Sequence, residues 1–197
     1  MHNSTLCYIT RGNDVLMLHR VKKKNDVNQD KWIGIGGKFE EDETPDECLL
    51  REAQEETGLT LTSWKCRGVV TFLTNGPYDG EYMYLFTADG FEGELKECDE
   101  GDLQWISREF LDQLPKWEGD QIFLDLLWQD APFFLLKLRY QGSTLVEAVL
   151  NGEKIRVYAD PAMPWTLDGE REDGHSMVDV LNVHHAIRLM QKVKKDA

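Results

Sequence analysis

One stretch constrains this chain more than any other: "GGKFEEDETPDECLLREAQEETGL", Gly36 to Leu59, which sets nine Asp and Glu residues among 24. Its punctuation defines a short helix. Thr44 is a good N-cap, Pro45 suits the first helical position, Glu47 completes a capping box, and Gly58 supplies a left-handed stop. The spacing therefore predicts a helix over 45–57. At about 100° per residue, Leu49, Leu50, Ala53 and Thr57 share one arc, suited to packing on a sheet. Glu52, Glu55 and Glu56 share the neighbouring arc. Arg51 lies one turn before Glu55 and one turn after Glu47, where it can orient a carboxylate.

An acidic helix face is usually only solvated. Here the face borders the apolar arc, and carboxylates at these spacings repel by a few tenths of a kcal/mol per pair. A hard divalent cation offsets that repulsion. Mg²⁺ takes oxygen ligands and is commonly held by a few carboxylates, waters and substrate phosphates.

The rest of the chain frames this helix. Its 197 residues, 41% of them hydrophobic, suit one domain with an elaboration or two small domains. No apolar run reaches the roughly 18 residues of a membrane span, and "MHNSTLCYIT" lacks an export signal's pattern, so a cytoplasmic protein is expected. Cys7, Cys48, Cys66 and Cys98 have no paired spacing, which points to neither disulfides nor a zinc cluster. The formal net charge of −14 disfavours a nucleic-acid polymer as partner, since such binding neutralises many phosphates. A small phosphorylated ligand remains compatible with it if a cation intervenes.

Short β-type runs are read at "TLCYIT" and "DVLMLHR", joined by the turn Arg11-Gly12-Asn13-Asp14, then at "GVVTFLT", "EYMYLFTAD", "LQWIS", "FFLLKLRYQ", "STLVEAVL" and "KIRVYA". Asn151-Gly152 marks a hairpin. Helices are expected near 120–128 and 178–193. Strands and helices out of strict alternation suggest an α/β sandwich around a mixed sheet. The expected division is a domain over 1–150 and an extension over 151–197, a hairpin strand plus an amphipathic helix serving as cover for the sheet or as a homodimer contact.

The run Gly37, five residues, Glu43, seven residues, Arg51-Glu52-Ala53-Gln54-Glu55-Glu56-Thr57-Gly58-Leu59 resembles the signature of the Nudix hydrolases, with Ala53 where a larger aliphatic residue is usual. Within that family the chain is similar to MutT-type nucleoside triphosphate pyrophosphohydrolases and to the oxidised-purine triphosphatases. The likeness runs from Leu6 to about Leu150 and includes "DKWIGIGGK", "ECDEGDLQWI" and "LPKWEGDQIFLDLLWQ".

The resemblance implies an α/β/α sandwich and a metal-dependent hydrolysis of nucleoside triphosphate to monophosphate and pyrophosphate, with Mg²⁺ the metal and Mn²⁺ a substitute. It assigns Glu52, Glu55 and Glu56 to the metal, together with the Gly37 carbonyl and the distant Glu100. It makes Glu52, Glu56 and Glu100 candidates for proton transfer, with Arg51 as their orienting partner. Lys23 and Lys38 would meet the triphosphate. Trp117 would stack on the base, and Asp120, when ionised, would accept from a guanine edge. Ile33 and Gly119 stand where the oxidised-purine enzymes carry polar base readers, which leaves 8-oxoguanine selectivity open. Two other readings stay in play: a Nudix hydrolase of another nucleoside diphosphate derivative, and a Nudix-fold regulator that binds nucleotide without turnover.

Overall fold

A computed structural model describes residues 1–23, 26–74, 80–154, 165–167 and 170–172. In chain order the elements are β1 (His2–Arg11), β2 (Asp14–His19), β3 (Trp32–Ile33), α1 (Pro45–Thr57), β4 (Thr60–Leu73), β5 (Gly80–Glu92) and β6 (Asp102–Ser107). A 3₁₀ turn (Arg108–Gln113), α2 (Asp120–Trp128), β7 (Phe134–Gln141), β8 (Thr144–Leu150) and β9 (Glu153–Lys154) follow, and β10 (Trp165–Leu167) pairs with β11 (Glu170–Glu172).

The main sheet runs β3-β2-β1-β5-β4-β7-β8-β9, with β6 alongside β2. It is mixed: β1 with β5 and β4 with β7 are parallel, and the other pairs are antiparallel. Two-residue alternation in its central strands serves both faces. Leu6 and Tyr8 of β1, with Val15 and Met17 of β2, pack under α2 with Phe123, Leu124 and Leu127. Their neighbours Cys7, Ile9, Leu16 and Leu18 pack on the opposite side with Leu49 and Ala53 of α1. Each buried Leu of this kind contributes about 1.5–3 kcal/mol by leaving water. The result is the expected α/β/α sandwich.

Helix α1 has the predicted bounds and caps. The Thr44 hydroxyl accepts from the Glu47 N–H, the Glu47 carboxylate accepts from the Thr44 N–H, and Gly58 sits at φ +78°. The turn at Asn151 and Gly152 has positive φ at both residues, as an Asn-Gly hairpin requires. Strand β4 begins eight residues before the apolar run "GVVTFLT". Its early half pairs with β5 through backbone bonds interrupted by bulges, while Thr62, Ser63 and Lys65 face solvent and interrupt any apolar run. The strand expected at "KIRVYA" is met at Lys154, and its remainder and the helix expected near 178–193 lie outside the described residues. Among the described residues no helix is long and apolar enough to cross a membrane. Cys7, Cys48, Cys66 and Cys98 are all free thiols.

The loop after β3 is laid along β1. Cys7 and Ile35 exchange backbone hydrogen bonds of 2.7 and 2.9 Å, and the Thr5 N–H donates to the Gly37 carbonyl at 2.9 Å. Gly36, at φ +154°, passes so close that a Cβ would fall 2.1 Å from the Thr5 carbonyl oxygen. This contact brings Gly36 and Gly37 up against the acidic side of α1.

Candidate active site

Glu56 is the most confined of the helix carboxylates. Its side chain is 8% exposed, accepts a 2.9 Å bond from the Gly36 N–H, and lies 3.9 Å from the Arg20 guanidinium. Burial pushes its pKa up to about 8 against the lowering effect of the Gly36 N–H, and repulsion from Glu52 and Glu100 adds to the rise. The Glu52 carboxyl, one turn earlier, is also raised, chiefly by burial. Glu55 is solvent-facing, with one oxygen 3.1 Å from Arg51.

Arg51 organises this face: it reaches Glu55 at 3.1 Å, as expected, but not Glu47. Glu47 is occupied by the capping box. The guanidinium instead makes a two-pronged contact with Glu43 at 2.6 and 3.0 Å and reaches Glu52 at 2.8 Å and the Lys38 carbonyl at 3.0 Å. The hydrogen bond from Arg51 holds Glu43 down at a pKa of about 2. Glu43 thereby joins the acidic loop to the helix.

Glu100 arrives from the turn before β6. Lys23 donates to it at 2.7 Å and Arg20 donates to its other oxygen. Burial favours its neutral form, but the two cations prevail and keep its pKa below the usual carboxylate value. Arg20, itself buried, also donates to Asp26 at 2.7 Å. Sequence reading missed Arg20; a cation ending the apolar run "DVLMLH" was its only signal.

Two expected ligating or binding groups behave differently. The Gly37 carbonyl accepts from the Thr5 N–H and from the Cys48 thiol at 3.6 Å, so its lone pairs are engaged within the sheet edge. What Gly37 supplies is room: a Cβ there would fall 2.3 Å from Glu52 Oε1. Lys38 is exposed and presents its backbone carbonyl, rather than its ammonium, to Arg51.

Among the described residues no three His, Cys, Asp or Glu side chains converge tightly enough to form a ready cation cage. The donor chemistry nonetheless suits a hard cation, because Glu52, Glu56 and Glu100 are oxygen donors close enough to raise one another's charge cost. In this arrangement Arg20, Lys23 and Arg51 provide the compensating charge.

Trp117 precedes α2 and Asp120 opens it. The Trp117 indole N–H donates to the Asn28 side-chain oxygen at 2.7 Å, its ring meets Tyr140 edge-on at 5.4 Å, and the Lys31 ammonium sits 4.6 Å from its ring centroid. Asp120 is nearly sealed, and burial raises its pKa to about 7 against a hydrogen bond from Trp117 and the charges of Lys116 and Lys31. A side chain at Gly119 would force Leu138 and Tyr140 to shift, since a Cβ would lie 2.6 Å from Leu138 and 2.7 Å from the Tyr140 hydroxyl, which accepts the Gly119 N–H. Ile33 packs with the cluster under α1, whereas Trp32 and Trp117 join the cluster under α2.

The buried Glu56 beneath the Gly36–Gly37 corner, Arg51 gripping Glu43, and the capped helix between them are a single structural unit, and residues 1–127 match the NUDIX domain. This chain belongs to the NUDIX family. It is 31% identical over 130 residues to an uncharacterised Nudix hydrolase, YvcI, of Bacillus subtilis, covering 62% of this chain and 77% of that one. It is 32% identical over 127 residues to an oxidized purine nucleoside triphosphate hydrolase of Danio rerio, covering 63% and 79%. A MutT protein from Bacillus halodurans superposes with a TM-score of 0.69 at 25% identity, over 78% of this chain and 99% of that one. The protein is a Nudix hydrolase with MutT-like relatives, and Nudix hydrolases generally use divalent metals.

Proposed function

We propose that this Nudix hydrolase converts purine nucleoside triphosphates, oxidised ones such as 8-oxo-dGTP among them, to the monophosphate and pyrophosphate, and so cleans the nucleotide pool. The observation that carries this reading is the pairing of two environments. One is the coupled carboxyl set Glu52, Glu56 and Glu100 beneath Arg20 and Lys23. The other is the Trp117 indole, with a buried carboxyl, Asp120, hydrogen-bonded to the Trp117 backbone. The first suits a triphosphate and the second a purine edge. The Danio relative's name supports the substrate class.

Glu52, Glu56 and Glu100 would hold Mg²⁺, with Mn²⁺ a substitute and Glu55 at the open rim. Bound there, the cation supplies charge neutralisation on the phosphate oxygens and eases the deprotonation of water. The chain's own groups do the rest. Arg20 and Lys23, which pair with Glu100, would supply positive charge toward the phosphate oxygens, with Lys38 at the rim. Glu52 and Glu56, whose proton affinities are raised, are suited to accept the proton of the attacking water. Arg51, anchored by Glu43, holds Glu52 in place directly. Residues 1–150 carry this chemistry.

The test is product analysis over dGTP, 8-oxo-dGTP, dATP, ADP-ribose and dinucleoside polyphosphates, with Mg²⁺ and with chelator. Pyrophosphate and nucleoside monophosphate formed fastest from the purine triphosphates is the expected result. Preference for ADP-ribose or a dinucleoside polyphosphate overturns the substrate, and nucleotide binding without turnover overturns catalysis.

A further inference from the structure

We infer that Asn28 is a positioning residue for purine binding, holding the Trp117 indole through its side-chain carbonyl and tying it by way of Asp26 to the Arg20 cluster. The inference rests on the proposed role of Trp117 as base platform. Every link has its own geometry. The Trp117 Nε1–H donates to Asn28 Oδ1 at 2.7 Å, across 89 residues of sequence. The Asn28 N–H donates to Asp26 Oδ1 at 3.0 Å, and Asp26 Oδ2 accepts from Arg20 Nε at 2.7 Å. Arg20 then reaches Glu100 and approaches Glu56. One loop thus spans the carboxyl set and the indole.

An indole donates through its single N–H, and that donor fixes the ring's rotation about its own axis. A ring so pinned loses less freedom when a base stacks on it. Asn28 lies in a loop segment that forms neither helix nor strand, and its side-chain carbonyl is spent on Trp117. Asp26 is buried with its carboxylate shared between the Arg20 guanidinium and the Asn28 N–H. Lys31 of the same loop sits over the indole, so the loop contacts Trp117 at both its donor and its face. The contact is specific in chemistry: it needs an acceptor at position 28, which aspartate also offers and leucine does not.

Isothermal titration with two probes tests this: a dGTP analogue with methylene in place of the α,β-bridging oxygen, and inorganic tripolyphosphate. Asn28→Leu should weaken the nucleotide analogue about three- to tenfold and leave tripolyphosphate unchanged, the effect of one lost hydrogen bond. Asn28→Asp should restore most of the affinity. In a Trp117→Ala background, Asn28→Leu should cost nothing further. Equal losses for both probes, no rescue by aspartate, or an undiminished loss in the Trp117→Ala background would each overturn the inference. If Trp117→Ala alone leaves the analogue's affinity intact, the base-platform reading falls and this inference with it. If Trp117→Ala weakens binding and Asn28→Leu does not, only the inference falls.

Discussion

The Glu52 carboxylate rests on Gly37, whose missing side chain is the space it occupies: a Cβ at Gly37 would fall 2.3 Å from Oε1 and 2.5 Å from Cδ. A methyl group there has to push the carboxylate aside, because the Gly37 backbone is pinned by the Thr5 N–H. Gly37→Ala should therefore lower kcat by about tenfold to a hundredfold, the usual consequence of displacing a reacting group by an ångström. The melting temperature should move by only a few degrees. A variant with unchanged kcat would show that Glu52 is not needed where it stands.

Arg51 makes its strongest contact with Glu43, eight residues away, through both prongs of the guanidinium. Lysine offers one compact charge and cannot hold Glu43, Glu52 and the Lys38 carbonyl together. Arg51→Lys should lower kcat more than it raises KM, and Glu43→Gln should reproduce part of the loss. Steady-state kinetics on both variants decide this. A pure KM effect would place Arg51 on the substrate instead.

Much of this arrangement was legible in the residues before any coordinates, and the reason is local. Thr44, Pro45, Glu47 and Gly58 act within one or two turns, so α1 could be bounded from its own letters. The hairpin at Gly12 and the turn at Asn151-Gly152 are equally local. What could not be read depends on distant partners. Arg51 facing Glu43 rather than Glu47, Arg20 beneath Glu56, and Tyr140 crowding Gly119 are all set by tertiary approach. The early half of β4 escaped because Thr62, Ser63 and Lys65 break up its apolar pattern and its pairing is backbone bonding.

Glu56 makes the apo protein's stability depend on pH. Its folded pKa of about 8 exceeds the ordinary glutamate value of 4.5, so the folded state keeps a proton that the unfolded state releases. That contribution is fully present below pH 4.5 and is lost as pH rises through 8. Glu56→Gln removes the charge and retains an acceptor for the Gly36 N–H. In chelator, the variant should match the wild type near pH 4 and exceed it by on the order of 2–4 kcal/mol at pH 8 or above. Denaturant titrations at the two pH values check it; equal stabilities at both would show that Glu56 carries no burial cost.

Mg²⁺ should reverse that ranking. A ligand that binds only the folded state adds stability by mass action, and each kcal/mol moves the midpoint of a chain this size by about 2–4 °C. Saturating Mg²⁺ should raise the wild-type melting temperature at pH 8 and leave that of Glu56→Gln nearly unchanged. A shift of the same size in both proteins would place the cation elsewhere.

If Asp120 reads the base as proposed, base preference should depend on pH. Its carboxyl is sealed beside Trp117 with a pKa of about 7, so both protonation states are populated near neutrality. Ionised, it only accepts, which matches the N1–H and amino donors of guanine; protonated, it donates once and accepts once, which matches the N1 acceptor and amino donor of adenine. As pH rises through 7, kcat/KM for dGTP should therefore gain on that for dATP, and as pH falls the ratio should shrink. Asp120→Asn presents one acceptor and one donor at every pH, so its dGTP-to-dATP ratio should be low and flat. The guanine loss should be about 1–3 kcal/mol in transition-state terms at pH 8, since an amide donor then faces a substrate donor. Trp117→Ala should behave differently, weakening both purines by a similar factor at each pH because stacking does not depend on edge chemistry. Taking the ratio on one enzyme sample cancels pH effects shared by both substrates, such as those at Glu52 and Glu56. A ratio that does not move with pH in the wild type, or that moves equally in Asp120→Asn, would remove Asp120 from base recognition.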